Sequence, residues 1–447
     1  MAELSRIEPR TLKGFRDWLP QPMRLRERLM ETARRVFRSY GYEPIDTPAL
    51  EYLEILLGKG GEETDKQLYR FQDAGGRWVG LRFDLTVPVA RYVAQHVNEL
   101  GLPFKRYHIA TVWRGENTAR GRYREFTQCD FDIIGTRSLA ADVEVVLVIH
   151  DLLLALGCGS HTISLNHRGV LAGLLEMAGL GPQLRGVLRA LDKLAKQGRE
   201  SVAAEMVTTA GATPQQAEQI LALAEVRGTP AEVLRALEQA VGSSEAGRAG
   251  VQSLAEIVAA VRAAGVPEEC LRLDPSIARG LDYYTGTVFE TTLEALPSIG
   301  SVCSGGRYDN LASLFTSQEL PGVGASLGLD RLMAALEELG LAPAEPAPAP
   351  VLVCWFVADR LHDYLRLAAR LRAAGLGVEL YPEPRRLGQQ LKYADRRGCR
   401  VAVIVGEDEF ARGECQIKNL ADATTRHVPL TDDATAIVEE ISRLLNG

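Results

Sequence analysis

The stretch between Lys105 and Gly135 constrains the fold more than any other part of the sequence, because two segments with strand periodicity flank one polar loop. Bulky residues occupy every second position of the first segment: Tyr107, Ile109, Thr111 and Trp113. The second segment, from Phe126 to Ile134, alternates in the same way. A period of two residues is that of a β-strand, so the stretch predicts a long antiparallel hairpin.

The return strand of this hairpin has one polar face, formed by Gln128, Asp130 and Asp132. Arg114 ends the outgoing strand, and further arginines follow in the loop. A polar strand face often does no more than meet solvent. Carboxylates beside arginines, however, suit a substrate with an amine at one end and a phosphate at the other, since guanidinium groups pair with phosphate oxygens. Both interpretations stay open on the pattern alone.

Three glycine-rich segments in the second half of the chain also indicate a ligand site: residues 277–290, 304–309 and 322–331. Glycine in strands and at strand–helix junctions permits close approach of the backbone to a ligand. Earlier in the chain, Asp84 and Thr86 lie where a predicted strand runs into a helix. Thr86 there is interpreted either as a helix cap or as part of the site.

The length of 447 residues predicts two or three domains. Residues 341–350 read LAPAEPAPAP, which is typical of an extended, semi-rigid linker. We therefore predict an α+β domain over residues 1–338, a linker over 339–350 and an α/β domain over 351–447. The first domain would be built on an antiparallel sheet. Helical spacing over about residues 167–266 predicts an all-helical insertion of four to six helices that forms a separate subdomain.

Charge and cysteine content narrow the class of protein. The net charge of −7 leaves only local basic patches for any contact with nucleic acid. Seven cysteines are scattered without a C-x-x-C pair, so neither a zinc site nor a disulfide framework is expected, and a reducing cytosol is favoured. With no signal-peptide character and no apolar run of spanning length, we expect a cytoplasmic protein without a membrane partner.

The C-terminal domain combines strand–helix alternation with a cluster of positive charge. Alternation over residues 351–405 predicts a mostly parallel sheet covered on both faces. Basic residues crowd around its second helix, among them Arg385, Arg386, Lys392 and Arg396. Such a run is usually a solvated helix face, but on a tethered domain it also suits a nucleic-acid backbone.

Taken together, these motifs resemble the histidyl-tRNA synthetases, a family of class II aminoacyl-tRNA synthetases, along nearly the whole chain. The most specific match is Arg279-Gly-Leu-Asp-Tyr-Tyr-Thr-Gly286, with Ser304-Gly-Gly-Arg-Tyr-Asp309 as its companion. The hairpin resembles the second class II motif and Gly324 to Arg331 the third. The helix and strand between Leu25 and Pro48 resemble the first motif, which in the family builds a homodimer interface. The closing domain resembles an anticodon-binding domain.

The resemblance implies a histidine–tRNA ligase that uses ATP and Mg²⁺, with L-histidine and tRNA(His) as its other substrates. Arg114 and Arg279 would be catalytic residues that bind the α-phosphate from two sides. For ATP, Arg331 would also hold the γ-phosphate and Glu116 would lie near the base. The implied histidine pocket consists of Asp84, Leu85, Thr86, Gln128, Asp132, Tyr283 and Tyr284. Of these, Asp84, Thr86 and Gln128 would receive the α-ammonium group, and Asp132 and Tyr284 the imidazole. No protein-only metal site is implied, and the basic residues around the second helix of the closing domain would contact tRNA.

Two rival families share parts of this pattern. The regulatory subunit of ATP phosphoribosyltransferase is a catalytically silent relative, but it lacks the closing domain and the segment from Arg279 to Gly286. Synthetases for proline, threonine or glycine share the closing domain, and the tandem tyrosines disfavour them. One departure from the resemblance is Phe83, where proline or tyrosine is more usual.

Overall fold

The computed structural model describes residues 7–58, 62–278, 283–342 and 346–446. The chain divides into two compact units, Met1–Pro343 and Ala344–Gly447. Within the described ranges, none of the helices combines the length and the apolar character needed to cross a lipid bilayer. The candidate site lies in the first unit and the basic cluster in the second, so each unit is described by itself.

Two sheets form the framework of the first unit. Its strands, in chain order, are β1 (Glu43–Pro44), β2 (Leu50–Tyr52), β3 (Arg70–Gln72), β4 (Trp78–Leu81), β5 (Phe104–Trp113), β6 (Glu125–Ile134), β7 (His161–His167), β8 (Leu271–Leu273), β9 (Thr287–Leu293), β10 (Cys303–Tyr308) and β11 (Gly322–Gly328). The large sheet has the order β1-β5-β6-β11-β10-β9-β7-β8, and the small one β2-β4-β3. The five pairings from β5 to β7 are antiparallel, while the outer pairs β1–β5 and β7–β8 are parallel. The predicted α+β class on an antiparallel sheet is confirmed.

β5 and β6 are the predicted hairpin. Each strand has ten residues, and the register places Arg106 opposite Asp132 and His108 opposite Asp130. On the other side of β6, Gly324 of β11 lies opposite Asp132. Directly opposed residues present their side chains to the same face of a sheet. Arg106 and His108 therefore lie on the same face of the sheet as the polar residues of β6. On the neighbouring strand, β11, the residue next to Asp132 is a glycine.

Helices cover the opposite face of the large sheet. The helices of the first unit are α1 (Pro20–Ser39), α2 (Leu53–Leu57), α3 (Glu62–Gln67), α4 (Thr86–Leu100), α5 (Leu139–Ala155), α6 (Arg168–Met177), α7 (Leu184–Leu191), α8 (Leu194–Gln197), α9 (Arg199–Ala210), α10 (Pro214–Ala224), α11 (Pro230–Val241), α12 (Glu245–Ala263) and α13 (Leu329–Glu338). Apolar residues of α1, α5, α12 and α13 pack with Cys129, Phe131 and Ile133 of β6 in one core. This packing leaves the alternate, polar face of β6 to the candidate site.

The helical insertion is present, but two details of its prediction were wrong. Seven α-helices, α6 to α12, span the described residues between Arg168 and Ala263, more than the four to six expected. The insertion is also not wholly separate, because Val233 and Leu237 of α11 and Leu254 of α12 belong to the core of the sheet. A second core joins α6, α7, α9 and α10. Helical periodicity identifies apolar faces, but it does not indicate which core each face joins.

The second unit has a five-stranded mixed sheet. Its strands are β12 (Val351–Cys354), β13 (Val378–Leu380), β14 (Val401–Ile404), β15 (Glu414–Asn419) and β16 (Thr425–Pro429), and its helices are α14 (Leu361–Ala373), α15 (Leu387–Arg397), α16 (Glu407–Arg412) and α17 (Thr435–Asn446). The order is β13-β12-β14-β15-β16. The first three strands are parallel, but β15 and β16 are antiparallel. The expected mostly parallel sheet was therefore only half right, because the prediction stopped before the C-terminal hairpin.

Candidate active site

A buried ion pair forms the centre of the polar face. Arg106 has no exposed surface, and its terminal nitrogen lies 2.5 Å from Asp132 Oδ2. Tyr308 Oη donates a hydrogen bond of 2.5 Å to the other oxygen, Asp132 Oδ1. The strand register explains this pairing, since Arg106 and Asp132 are directly opposed on β5 and β6. Asp132 thus lies in the predicted pocket, held by two residues that sequence reasoning had not selected.

Glycines on β10 and β11 make room for the side chains of the site. A Cβ on Gly324 would lie 2.2 Å from Asp132 Oδ1, and a Cβ on Gly306 would lie 2.9 Å from the ring of Tyr284. The glycine-rich segments predict close approach of the backbone to a ligand. At these two positions the approach is instead to the pocket's own side chains, which occupy the space that a methyl group would need.

Gln128 and Asp130 continue the polar face of β6 beyond Asp132. Gln128 Nε2 donates to Ser326 Oγ at 2.7 Å. Gln128 Oε1 and Asp130 Oδ1 are buried and have no hydrogen-bond partner among the described residues. Buried acceptors without a donor are costly and rare in folded proteins. Two such atoms on adjacent positions of one strand face indicate a place where a ligand supplies the donors.

Burial raises the pKa of the pocket carboxylates. The pKa of Asp130 rises to about 7, because desolvation and the charge of Asp132 outweigh the favourable field of Arg106. Desolvation also raises the pKa of Asp132, although the charge of Arg106 acts to lower it. The pKa of Asp84 is raised by desolvation too, and the Val87 N–H, Arg114 and Arg106 oppose this increase. Such carboxylates gain stability from a cation that enters the pocket. The electrostatics therefore match a positively charged ligand.

The junction between β4 and α4 contributes Asp84, Leu85 and Thr86. Asp84 is buried, and its Oδ1 accepts the N–H of Val87 at 3.0 Å. Leu85 has no exposed surface. The alternative that Thr86 caps the helix was wrong, because Thr86 is itself the first residue of α4 and the cap position is Leu85, which has no side-chain cap. The N–H of Val87 in the first turn is bound by Asp84 instead. Thr86 instead shares a side-chain hydrogen bond with Tyr283.

Three tyrosines close the pocket. The rings of Tyr283 and Tyr284 are 4.9 Å apart, edge to face, and Tyr283 lies 6.0 Å from Tyr308. The charges of Asp132, Asp130 and Asp84 all act on Tyr284, and together with burial they raise its pKa. Tyr284 therefore stands within the field of all three carboxylates, as a neutral hydroxyl. Arg279, predicted to approach from the same segment, lies outside the described residues.

Arg114 lies between two aromatic rings at the edge of the pocket. Its guanidinium carbon is 4.4 Å from the centre of the Phe83 ring and 5.1 Å from that of Phe126. Its Nε donates to the carbonyl oxygen of Phe83 at 3.1 Å. The departure at position 83 thus supplies a flat surface for the guanidinium group. Because the charge of Arg114 also acts on Asp84, this cation adjoins the carboxylate pocket.

The hairpin loop carries Glu116 and lies against the start of α13. Glu116 is 3.6 Å from Arg122, and its carbonyl oxygen accepts from Arg124 Nε at 3.2 Å. A Cβ on Gly121 would lie 3.3 Å from the Cα of Arg331. Arg331 itself donates to Ser301 O at 2.5 Å. The loop that carries Glu116 therefore lies against the backbone of Arg331.

Some polar residues of the predicted segments are structural. Arg307, in the Gly-Gly-Arg-Tyr-Asp segment, forms hydrogen bonds with Asp142 and with the carbonyl oxygens of Thr136 and Ser138. It therefore fixes the start of α5. Asp330, next to Arg331, accepts the N–H of Thr127 at 2.7 Å and pairs with Arg16 at 2.8 Å. These contacts position β6 and α13. Arg307 and Asp330 therefore have structural roles, whereas the residues next to them in sequence belong to the candidate site.

The basic residues of the second unit lie at the start and along one side of α15. Arg385, Arg386, Lys392 and Arg396 are all exposed. Arg385 pairs with Glu383 at 2.6 Å, which offsets part of its charge. The cluster is therefore accessible to a polyanion, with Arg386, Lys392 and Arg396 as its main positive charges.

Two family models match the chain in the order of its units. The model for histidyl-tRNA synthetase matches residues 14–332, which include the whole candidate site. The model for an anticodon binding domain matches residues 351–440, which include α15. The predicted resemblance is confirmed in both parts, and a match to the closing domain separates this chain from the silent relative that lacks it.

Histidine–tRNA ligases from other organisms align over nearly the full length. The histidine–tRNA ligase of Rhodopirellula baltica is 58% identical over 97% of this chain and 99% of its own. That of Wolinella succinogenes is 47% identical over 94% of this chain and 96% of its own. The crystal structure of histidyl-tRNA synthetase from Nostoc sp. PCC 7120 superposes with a TM-score of 0.86 at 37% identity, covering 98% of this chain and 100% of that one. Both the sequence and the fold are thus similar to those of one family.

Proposed function

This chain belongs to the histidyl-tRNA synthetase family, and we propose that it is an ATP-dependent histidine–tRNA ligase that works in two steps. First, the carboxylate of L-histidine attacks the α-phosphorus of ATP, which gives histidyl-adenylate and releases pyrophosphate. Then a hydroxyl group at the 3′ end of tRNA(His) displaces AMP. The observation that carries this proposal is the position of Arg114 beside a pocket of buried carboxylates, which fits a phosphate next to a cationic amino acid.

The α-ammonium group of histidine is assigned to Asp84, Thr86 and Gln128, with Leu85 as the apolar wall behind it. Asp84 uses one oxygen on the Val87 N–H, and an ionised carboxylate retains further acceptor positions. Gln128 Oε1 is a buried acceptor with no donor among the described residues. An ammonium group supplies three donors, so its entry would satisfy acceptors that are otherwise buried at a cost.

The imidazole is assigned to Asp132 and Tyr284, with Tyr283 beside them. Asp132 already holds Arg106 and Tyr308, so it would act as a rigid acceptor. We add Asp130 to this group, because its Oδ1 is buried with no hydrogen-bond partner in the described part of the chain. A pocket that pairs with ring nitrogens rejects apolar isosteres strongly, since its polar groups would be left unpaired. Selectivity for histidine follows from this arrangement without a second, editing site.

Arg114 is assigned to the α-phosphate. In-line attack increases negative charge on the non-bridging oxygens, and a fixed cation lowers the free energy of that transition state. Arg114 is fixed by the Phe83 and Phe126 rings and by the hydrogen bond from its Nε. Its terminal nitrogens, which show no hydrogen bond to any residue that the structure describes, would then take phosphate oxygens. The family resemblance assigns Arg279 to the opposite side of the same phosphate.

The remainder of ATP is assigned to the loop and α13. Arg331 would hold the γ-phosphate and Glu116 would lie near the adenine, supported by the contact of Gly121 with the Arg331 backbone. ATP is proposed to enter as its Mg²⁺ complex, with the ion held mainly by phosphate oxygens, as is usual for this ion. The protein's part in this step is to orient the triphosphate so that pyrophosphate leaves in line with the attack.

The second unit is proposed to bind the anticodon arm of tRNA(His) through α15. Arg386, Lys392 and Arg396 are exposed there, and lysine and arginine that neutralise phosphates supply most of the affinity for nucleic-acid backbones. The chain's net charge of −7 makes this local cluster the expected contact, because the overall field is repulsive.

A homodimer is proposed from the small sheet and from the family's use of its first motif. Large apolar side chains remain exposed on this sheet: Leu50, Tyr52, Phe71 and Trp78. A second copy that covers them would remove this apolar surface from water. Analytical ultracentrifugation should give twice the chain mass.

The cytosol is the proposed compartment, since the seven cysteines are all free thiols.

Exchange between ATP and pyrophosphate tests the proposed reaction. The purified protein should catalyse exchange with L-histidine and Mg²⁺ and with none of the other amino acids. Charging of tRNA(His) should follow in the same preparation. A preparation that binds histidine but shows no exchange would be a binding module, like the regulatory relative. Exchange that depends on another amino acid would mean that the chain activates that amino acid and not histidine.

A further inference from the structure

Three potential metal ligands meet in the first unit, contributed by three separate segments. His150 comes from α5, His161 from β7, and Cys270 from the short turn before β8. One ligand atom from each lies within 4.8 Å of the other two. His150 Nδ1 and His161 Nε2 are 3.1 Å apart. In a tetrahedral zinc site with Zn–N of about 2.0 Å, two ligating nitrogens lie roughly 3.3 Å apart, so this spacing fits two ligands of one ion.

The histidine pair is prepared for ligation. His161 is almost fully buried, and its Nδ1 lies 3.2 Å from the carbonyl oxygen of Gly159. If Nδ1 donates to that oxygen, Nε2 carries the lone pair, which is how second-shell carbonyls orient metal-binding histidines.

The side of the cluster near Cys270 carries negative charge. Cys270 is half-buried, so an ion can reach its thiol. The carboxylate of Glu294 acts electrostatically on both Cys270 and His161, and one of its oxygens, Oε1, accepts from Thr162 Oγ1 at 3.0 Å. Glu269 also acts on Cys270 and Asp151 on His150. These charges oppose formation of a free thiolate but favour a bound divalent cation.

We propose that His150, His161 and Cys270 bind one divalent ion of the zinc type, with water in the fourth position. Two imidazoles and one thiolate are a set that suits zinc. Binding replaces the thiol proton of Cys270 and the hydrogen bond between the two rings. The ion joins α5 to β7 and to the turn that follows α12, so it fastens the end of the helical insertion to the edge of the large sheet.

Cobalt(II) is the probe, because it reports on both geometry and thiolate ligation. The full-length protein, freed of metal by chelator, should bind one cobalt per chain. It should develop the visible absorption of a tetrahedral site together with a thiolate-to-cobalt charge-transfer band. Zinc should displace the cobalt and abolish both signals. Absence of cobalt binding, or an octahedral spectrum without the charge-transfer band, would overturn the proposal.

Ligand and control variants locate the site. Cys270→Ser should remove the charge-transfer band and weaken zinc binding at least tenfold, whereas Cys399→Ser, in the other unit, should change neither. His161→Gln should abolish stoichiometric binding, and His362→Gln, an exposed histidine of the second unit, should not. Circular dichroism of each apo-protein shows whether the variant is folded. Undiminished zinc affinity in Cys270→Ser would disprove this site, and this outcome can be measured even if the His161 variant fails to fold.

Discussion

The pocket of the first unit and α15 of the second use charge in opposite ways. Asp84, Arg106, Asp130 and Asp132 are all at most 4% exposed, and each is held by strand register or by a hydrogen bond. Arg386, Lys392 and Arg396 stand in solvent. Removing a charge from water costs several kcal/mol, so a buried charge needs partners at fixed positions. This difference supports the proposal that the pocket recognises the chemical groups of a small molecule, while α15 attracts a polyanion.

The largest effect is expected where a buried charge loses its partner. Asp132→Asn leaves Arg106 fully buried, and among the described residues the more distant carboxylates of Asp130 and Asp84 then balance its charge. The free energy of unfolding should fall by about 3 kcal/mol, because an uncompensated buried charge is strongly destabilising. Urea unfolding followed by tryptophan fluorescence measures this change. The same substitution should weaken histidine binding, which isothermal titration measures separately.

Arg106→Met provides the matched partner for this measurement. If the pair acts as a unit, the double variant Arg106→Met/Asp132→Asn should lose less stability than the sum of the two single variants. An Asp132→Asn variant as stable as the native protein would mean that the arginine is balanced from elsewhere. The contrast between the buried and the exposed charges would then fail at its strongest point.

Arg114→Gln should affect catalysis more than folding. The side chain is fixed by two rings and one hydrogen bond, and its cation is assigned to a charge that grows only in the transition state. The turnover of histidine-dependent exchange should fall by about 10²- to 10³-fold, with little change in the KM for histidine. Arg235→Gln, on the exposed side of α11, is the control. Equal losses in turnover and in histidine affinity would make Arg114 a binding group.

The sequence predicted the hairpin because period-two alternation over ten residues has few other solutions. It also placed Gln128, Asp130 and Asp132 on one face. It did not identify Arg106 as the partner of Asp132, since cross-strand partners depend on a register that the loop length alone does not fix. Tyr308 was missed for a related reason: its contact with Asp132 crosses from β10 over Gly324 of β11.

The histidine–cysteine cluster marks another limit of sequence reasoning. The expectation of no zinc site rested on the absence of a C-x-x-C pair, which detects ligands that are close in sequence. His150, His161 and Cys270 come from α5, β7 and the turn after the insertion, so the fold alone brings them together. Burial was equally hard to foresee. The pocket carboxylates are buried and the charged residues of α15 are exposed, although both regions are polar in the sequence.

The buried carboxyl group of Asp130 should make the stability of the protein depend on pH. Its pKa is raised to about 7, mainly by desolvation, so between about pH 4 and about pH 7 the folded protein holds a proton that the unfolded chain has released. This contribution to stability is present at low pH and lost as the pH rises through about 7. Asp130→Asn removes the dependence. Its stability relative to the native protein should increase by about 2 kcal/mol between about pH 5 and about pH 8.

Thermal unfolding of both proteins across that range measures the difference. Histidine binding gives a second measurement, because an ammonium or imidazolium group beside Asp130 favours the ionised carboxylate. Near pH 7, histidine binding should release protons from the native protein, detected by calorimetry in buffers with different ionisation enthalpies, and fewer from Asp130→Asn. Identical pH profiles for the two proteins would place the titrating group elsewhere, among Asp84 and Asp132.

The smallest single effects are expected on α15. Lys392→Gln and Arg396→Gln should each weaken tRNA binding by less than about tenfold and reduce the slope of log affinity against log salt by about one. Both residues are exposed, so neither change should alter stability or histidine-dependent exchange. Arg385→Gln should have a smaller effect, because Glu383 already offsets its charge. Arg372→Gln, an exposed arginine of α14 in the same unit that is hydrogen-bonded to a carbonyl oxygen, removes the same charge from another surface. If it weakened tRNA binding as much as Arg396→Gln, the attraction would come from the unit's overall charge, and α15 would be only a solvated helix face.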